Sequence, residues 1–217
     1  MAYAFVQEVH TLTFANGSPF SLPSITPTTG HLLVSWVCST GSAPAVMSDT
    51  GSNVWTQVGT PQKRGGLSGA YYIAMFWAIA TGSASVLTYN SGGSFGSAQT
   101  MEFSGNASAS VLDASGQAGG TGTAPTCAVA TNYDNELIVA ASCPFLGGTW
   151  GPAAGWNQPS GSNPTAGLTY GGIFAVESTT GTYNPTFTTT SDDWGIIAGS
   201  FKPAGVSALK PVVIIFQ

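Results

Sequence analysis

The residues best placed for chemistry lie in Val46-Met47-Ser48-Asp49-Thr50-Gly51-Ser52-Asn53-Val54-Trp55, where Asp-Thr-Gly follows a short apolar stretch. A carboxylate in such a turn does acid–base work when a second carboxylate shares its proton. The chain offers no second copy: Leu112-Asp113-Ala114-Ser115-Gly116 and Ser191-Asp192-Asp193-Trp194 do not match, and the stretch around Gly155-Trp156 carries no acid. The plainer reading is a hairpin turn, with Asp49 and Asn53 bonding nearby backbone and Gly51 supplying a positive φ.

Other chemistries have thinner support. A Ser or Cys nucleophile needs a base within reach, and only His10 and His31 are present, both beside apolar strands. Glycoside cleavage needs two carboxyls about 5–10 Å apart. Glu102 and Glu177 are the pair on candidate strands. Asp134-Asn135-Glu136 and Asp192-Asp193 group oxygens as hard cations prefer, but neither has a calcium-loop spacing, and turn or strand-end roles explain them. No metal ligand set and no cofactor motif is expected. Trp55, Trp150 and Trp156 sit among Gly, Pro, Asn and Ser, so they are the candidate binding anchors, with packing over a sheet end as the alternative. Trp36, Trp77 and Trp194 fall in strands and are expected in the core.

The chain that carries these residues is unusual in its charge. Only 6% of the 217 residues are charged, with 4 Lys and Arg against 9 Asp and Glu. Phosphate binding needs clustered cations, and Lys63-Arg64 is the one basic pair, so nucleic acid is not an expected partner. At 43% hydrophobic the chain folds. No apolar run reaches the ~18 residues of a membrane span. Met1-Ala2-Tyr3-Ala4-Phe5 lacks the basic and apolar regions of a secretory leader, so export would follow leader removal or lysis. The cysteines are Cys38, Cys127 and Cys143; an odd count argues against a disulfide framework. They read as small buried hydrophobes, with one bridge and one free thiol as the alternative.

Short apolar stretches separated by 29 Gly and 13 Pro predict an all-β chain. Strands are expected near 5–14, 31–38, 55–58, 69–79, 85–89, 98–103, 136–143, 168–176, 184–189 and 194–201. Residues 31–38 line up with 136–143 at an offset of 105, cysteine on cysteine. Trp77-Ala78-Ile79 lines up with Phe174-Ala175-Val176, and each copy closes on a strand ending in Phe103 or Phe201. We therefore read 25–105 and 127–203 as two renditions of one unit. Together they form a single domain over 1–205, an antiparallel two-sheet β-sandwich of the jelly-roll, double Greek-key kind. The segment 105–126 is expected to be a surface crossing with at most a short strand at 110–113. Residues 206–217 form a linker and an apolar strand, Val212-Val213-Ile214-Ile215-Phe216, which must be covered by the chain's own sheet or by another subunit.

The run from Ser48-Asp49-Thr50-Gly51-Ser52-Asn53 through Trp77-Ala78 to Met101-Glu102-Phe103-Ser104-Gly105 resembles β-sandwich domains of tailed-phage virion proteins and bacterial surface proteins, over roughly residues 30–200. Ser52 inside the Gly-Asn turn departs from their pattern. The resemblance implies a decoration, fibre or adhesive module with no catalytic residues. The expectation is thus a non-enzymatic structural protein of a virion or extracellular surface, a homo-oligomer or a partner of other such proteins. A carbohydrate-binding or adhesion module with a glycan ligand is the alternative. The Asp49 segment also resembles that of aspartic proteases, which leaves a dimeric protease as the remote one.

Overall fold

The computed structural model describes residues 2–15, 19–64, 71–90, 95–144, 150–159 and 171–205. The first half contributes β1 (Ala4–Ala15), β2 (Phe20–Ser21), β3 (Leu32–Thr40), β4 (Ala45–Asp49), β5 (Thr56–Lys63), β6 (Tyr71–Ile79), β7 (Leu87–Asn90) and β8 (Phe95–Ser104). The second contributes β9 (Leu112–Gly122), β10 (Val129–Thr131), β11 (Glu136–Pro144), β12 (Trp150–Pro152), β13 (Gly171–Glu177), β14 (Gly181–Tyr183), β15 (Phe187–Thr189) and β16 (Asp192–Phe201). Every pairing is antiparallel. The chain is an all-β sandwich.

Its large sheets run β1-β8-β3-β6-β5 and β9-β16-β11-β13. Strand for strand the first four positions correspond, with β3 and β11 central. Along β3, Leu32, Val34, Trp36 and Cys38 point into a core shared with Leu137, Val139, Ala141 and Cys143 of β11. Alternate side chains leave by opposite faces, so the other faces need cover too. Val37, Ala74, Phe76 and Ala98 pack under the small sheet β2-β7-β4, on Phe20, Leu87 and Tyr89. Ile138, Ala140, Ile173 and Ile196 pack under β10, β12 and β15, on Val129, Trp150 and Phe187. The expected two-sheet sandwich is therefore the inner pair of layers; one three-stranded sheet backs the first, and two two-stranded sheets, β10-β14 and β12-β15, back the second. Burial on both faces explains the near-continuous apolar runs of β3 and β11, a pattern common in doubly covered strands.

Two expectations are corrected. Cys38 and Cys143, both 1% exposed, are joined in a disulfide across the central core with their Cα atoms 6.4 Å apart. The bridged pair is the one the internal alignment superimposes, and their separation is the repeat offset of 105 residues. Cys127 alone is free, and it is buried. Second, residues 112–122 are not a surface crossing but the eleven-residue edge strand β9, paired along β16. Its small residues are a steric requirement: a Cβ on Gly116 would lie 1.9 Å from the Ala128 carbonyl oxygen. The C-terminal segment with Val212, Val213, Ile214, Ile215 and Phe216 lies outside the described residues.

Candidate functional site

Asp49 ends β4 and is the hub of its turn. One carboxylate oxygen accepts from the Gly51 N–H (2.7 Å) and the Ser85 hydroxyl (2.5 Å). The other accepts from Asn53 Nδ2 and Trp55 Nε1, both at 2.7 Å. Asn53 in turn accepts the Thr81 N–H through Oδ1. Partial burial pushes the Asp49 carboxyl upward, but the bonds from Ser85, Trp55, Asn53 and Gly51 outweigh it and hold the group below its usual range. All its partners are donors, so the local arrangement builds a structural anion rather than a shared-proton pair. The left-handed residue here is Ser52, at φ 58°, not Gly51. Gly51 is required for a different reason: a Cβ there would meet that of Ser85 at 2.8 Å.

The three loop tryptophans fall into two separate cores. Trp55 is half-buried against the Phe20–Tyr89 cluster, its N–H held by Asp49. Trp150 is 7% exposed and lies on Phe187, ring centroids 4.9 Å apart. Its ring also fills the space a Cβ of Gly171 would occupy, 2.1 Å away. Trp156 is half-buried on the same cluster. Trp55 and Trp156 hold equivalent places, each just before a residue that pairs with β6 or β13 (Thr56 with Trp77, Asn157 with Phe174).

Buried carboxyls gather at one end of the sandwich. Glu102 on β8 is fully buried. It accepts from Gln7 Nε2 (2.6 Å) and the Thr28 N–H (2.9 Å), and its Oε1 lies 2.6 Å from His31 Nδ1. In the second half, Glu136 opens β11 at the position of His31 and accepts the Tyr133 N–H at 3.1 Å. Thr28 and Tyr133 are themselves 105 apart, and the turns after them use Gly30 (φ 83°) and Asn135 (φ 63°) at matching places. Both halves thus cap the same turn with a carboxylate, drawn from β8 in one and from β11 in the other. Asp134-Asn135-Glu136 is accounted for as this turn, with Asp134 accepting the Thr180 N–H at 3.2 Å. Asp192 and Asp193 are buried at the opposite end, at the start of β16, where Thr121 donates to Asp193. Glu177 pairs with Glu136 across the β11–β13 ladder. Among the described residues no group of three or more His, Cys, Asp and Glu has an arrangement that would hold a metal.

Glu136 is the titratable group most displaced within the physiological range. Burial, and then the neighbouring Asp113 charge, push its carboxyl up to about 7. Asp113 also faces Lys202 Nζ at 3.6 Å. The folded chain therefore holds this proton over a range where the unfolded chain has lost it. Stability from this source is complete below about pH 4.3, the unfolded value, and is lost as pH rises toward about 7. We expect the unfolding free energy read from denaturant titrations to fall between pH 5 and pH 8, by on the order of 2 kcal/mol, and Glu136→Gln to flatten the fall. An unchanged slope in that variant would remove Glu136 from the account.

Beside this end is a cleft of about 470 Å³ lined by Ala2, Tyr133, Asp134, Asn135, Pro203, Ala204 and Gly205. From it β1 runs along the rim of the first sheet. Among the described residues β1 pairs only with β8. A bulge between Phe5 and Gln7 breaks its alternation, leaving Phe5 (38%) and Val6 (43%) both exposed. Phe5 stacks on Phe174 of β13 at 5.4 Å, and Val176, two residues along, is 41% exposed. This apolar rim was missed in the sequence, where Phe5 and Val6 read as ordinary strand residues. The doubled apolar pair at the strand's start was the available signal. Comparison with protein-family models, curated proteins and solved structures finds no match.

Proposed function

We propose that this chain is a non-enzymatic structural subunit of a virion or extracellular surface, acting by assembling with copies of itself or with other proteins of that surface. The observation that carries this reading is the rim of β1. In a chain whose solubility rests on uncharged groups, a twelve-residue edge strand presents Phe5 and Val6 to solvent, with Phe5 stacked on Phe174 and Val176 exposed two residues further along β13. Open edges with apolar side chains invite pairing with another chain. A core disulfide supports an oxidising destination, since such bonds persist outside the reducing cytosol. The candidate catalytic groups support it as well: Asp49, Glu102 and Glu136 each accept bonds that close a turn. A glycan platform asks for a row of exposed rings. The half-buried or buried Trp55, Trp150 and Trp156, divided between two cores, favour assembly over it.

Light scattering coupled to size exclusion tests the reading. The full chain is expected to run as an oligomer, and a chain ending at Gly205 at about the monomer mass. A monomeric full chain, or an oligomer indifferent to the truncation, would count against assembly through the C-terminal segment.

A further inference from the structure

We infer that the Phe5–Val6–Val176 rim is the seat for the apolar C-terminal residues of a second copy of this chain. The inference rests on the assembly reading above and specifies its contact.

Three observations converge on that occupant. The first is the shape of the seat. The bulge at Val6 removes a regular ladder from this part of β1 and exposes two consecutive apolar side chains. Bulges at sheet edges re-aim side chains and are features rather than defects. Beneath, Phe5 stacks on Phe174, and Phe174 and Phe103 meet edge to face at 5.2 Å, so the seat is packed from below. The second is chemical match. Residues 211–217 are Pro-Val-Val-Ile-Ile-Phe-Gln, without a charge, and suit an apolar rim.

The third is reach. The described chain leaves at Gly205, which lines the same cleft as Ala2, and Ala204 donates to the Gly105 carbonyl at 2.6 Å. The tail therefore departs beside the start of β1. At about 3.3 Å per extended residue, the chain after Gly205 is long enough for residues 211 to 216 to reach up to roughly 20–36 Å from it. Phe5 lies only about 10 Å beyond Ala2 by the same rise. The tail therefore has length to spare over the rim of its own molecule and enough to reach a neighbour's. Reciprocal exchange between two copies would satisfy both rims and both tails, the closed arrangement of an isologous dimer.

The test uses the full chain with Val6 replaced by the photoreactive residue p-benzoyl-phenylalanine, as a mixture of light and nitrogen-15-labelled copies. After irradiation, cross-linked peptides are identified by mass. The expected product joins the Val6 peptide to residues 211–217, half of it in mixed-isotope pairs. A link to the same residues found only within one isotope would overturn exchange. A link elsewhere, or none, in a sample that still runs as an oligomer would overturn the seat while leaving the assembly reading in place. A monomeric sample would overturn both. In parallel, Val6→Lys places a charge on the exposed rim without touching the core. It is expected to weaken dimerisation at least tenfold and leave the melting temperature of a chain ending at Gly205 unchanged; an unaltered dimer would contradict the seat.

Discussion

Replacing both bridged cysteines, Cys38→Ala with Cys143→Ala, is expected to cost about 4–5 kcal/mol of stability. The bridge closes a loop of 105 residues. In the chain-entropy description a loop of about 100 residues is worth ~4.7 kcal/mol through restriction of the unfolded chain. Both side chains are buried in the central core, so the lost sulfur contacts add to the effect rather than relieve it. For a chain of this size, 1 kcal/mol moves the melting temperature by about 2–4 °C. The double variant is thus expected to melt roughly 8–20 °C lower, read by circular dichroism without reductant. Cys127→Ala is the control. It removes a buried thiol that constrains no loop, and its effect should be a fraction of the other. A double variant that melts within about 3 °C of the parent chain, against that per-kcal shift, would mean the bridge does not hold the two sheets together.

The second large effect is at Asp49. Asp49→Ala leaves the Gly51 N–H, Asn53 Nδ2, Trp55 Nε1 and the Ser85 hydroxyl without their shared acceptor. Hydrogen bonds to a charged group are worth about 1.5–3 kcal/mol each, and bonds in one network do not add. A loss of about 3 kcal/mol is expected, with a shift in Trp fluorescence as Trp55 is freed. The pH dependence follows from the direction of the shift. The folded carboxyl titrates below its unfolded value, so its contribution is complete above about pH 4 and disappears as pH falls through the folded value. Asp49→Asn should flatten that acid limb. A protease would show a different result: peptide cleavage at acid pH that Asp49→Asn abolishes.

These two effects mark where the chain was legible and where it was not. Strand periodicity, punctuation by Gly and Pro and the offset of 105 residues point directly to the all-β class and to the central strands. The bridge was hidden by counting cysteines. A count of three argues against a framework, yet Cys38 and Cys143 occupy the same place in equivalent strands. When two like sheets lie face to face, equivalent positions near their centre meet. The outer layers were signalled by the unbroken apolar runs of β3 and β11, which a sheet open to water on one side would not show. β9 escaped detection because packing against the Ala128 backbone selects glycine, leaving no apolar alternation to read. The Asp49 hub was half legible. Gly51, Asn53 and Trp55 are close in sequence, but Ser85 arrives from the far side of the half and is visible only in the fold. The apolar rim at Phe5 and Val6 depends on a bulge whose one trace in the sequence is the adjacent apolar pair.

Two equivalent strands meet at the centre of the molecule through Cys38 and Cys143, and peptide mapping of the full chain under non-reducing conditions tests this directly. The map should join the peptide bearing Cys38 to the peptide bearing Cys143, with Cys127 the single thiol alkylated after unfolding. A bridge that includes Cys127, or three thiols alkylated in chain purified without reductant, would contradict the face-to-face arrangement on which the fold and the proposed assembly rest.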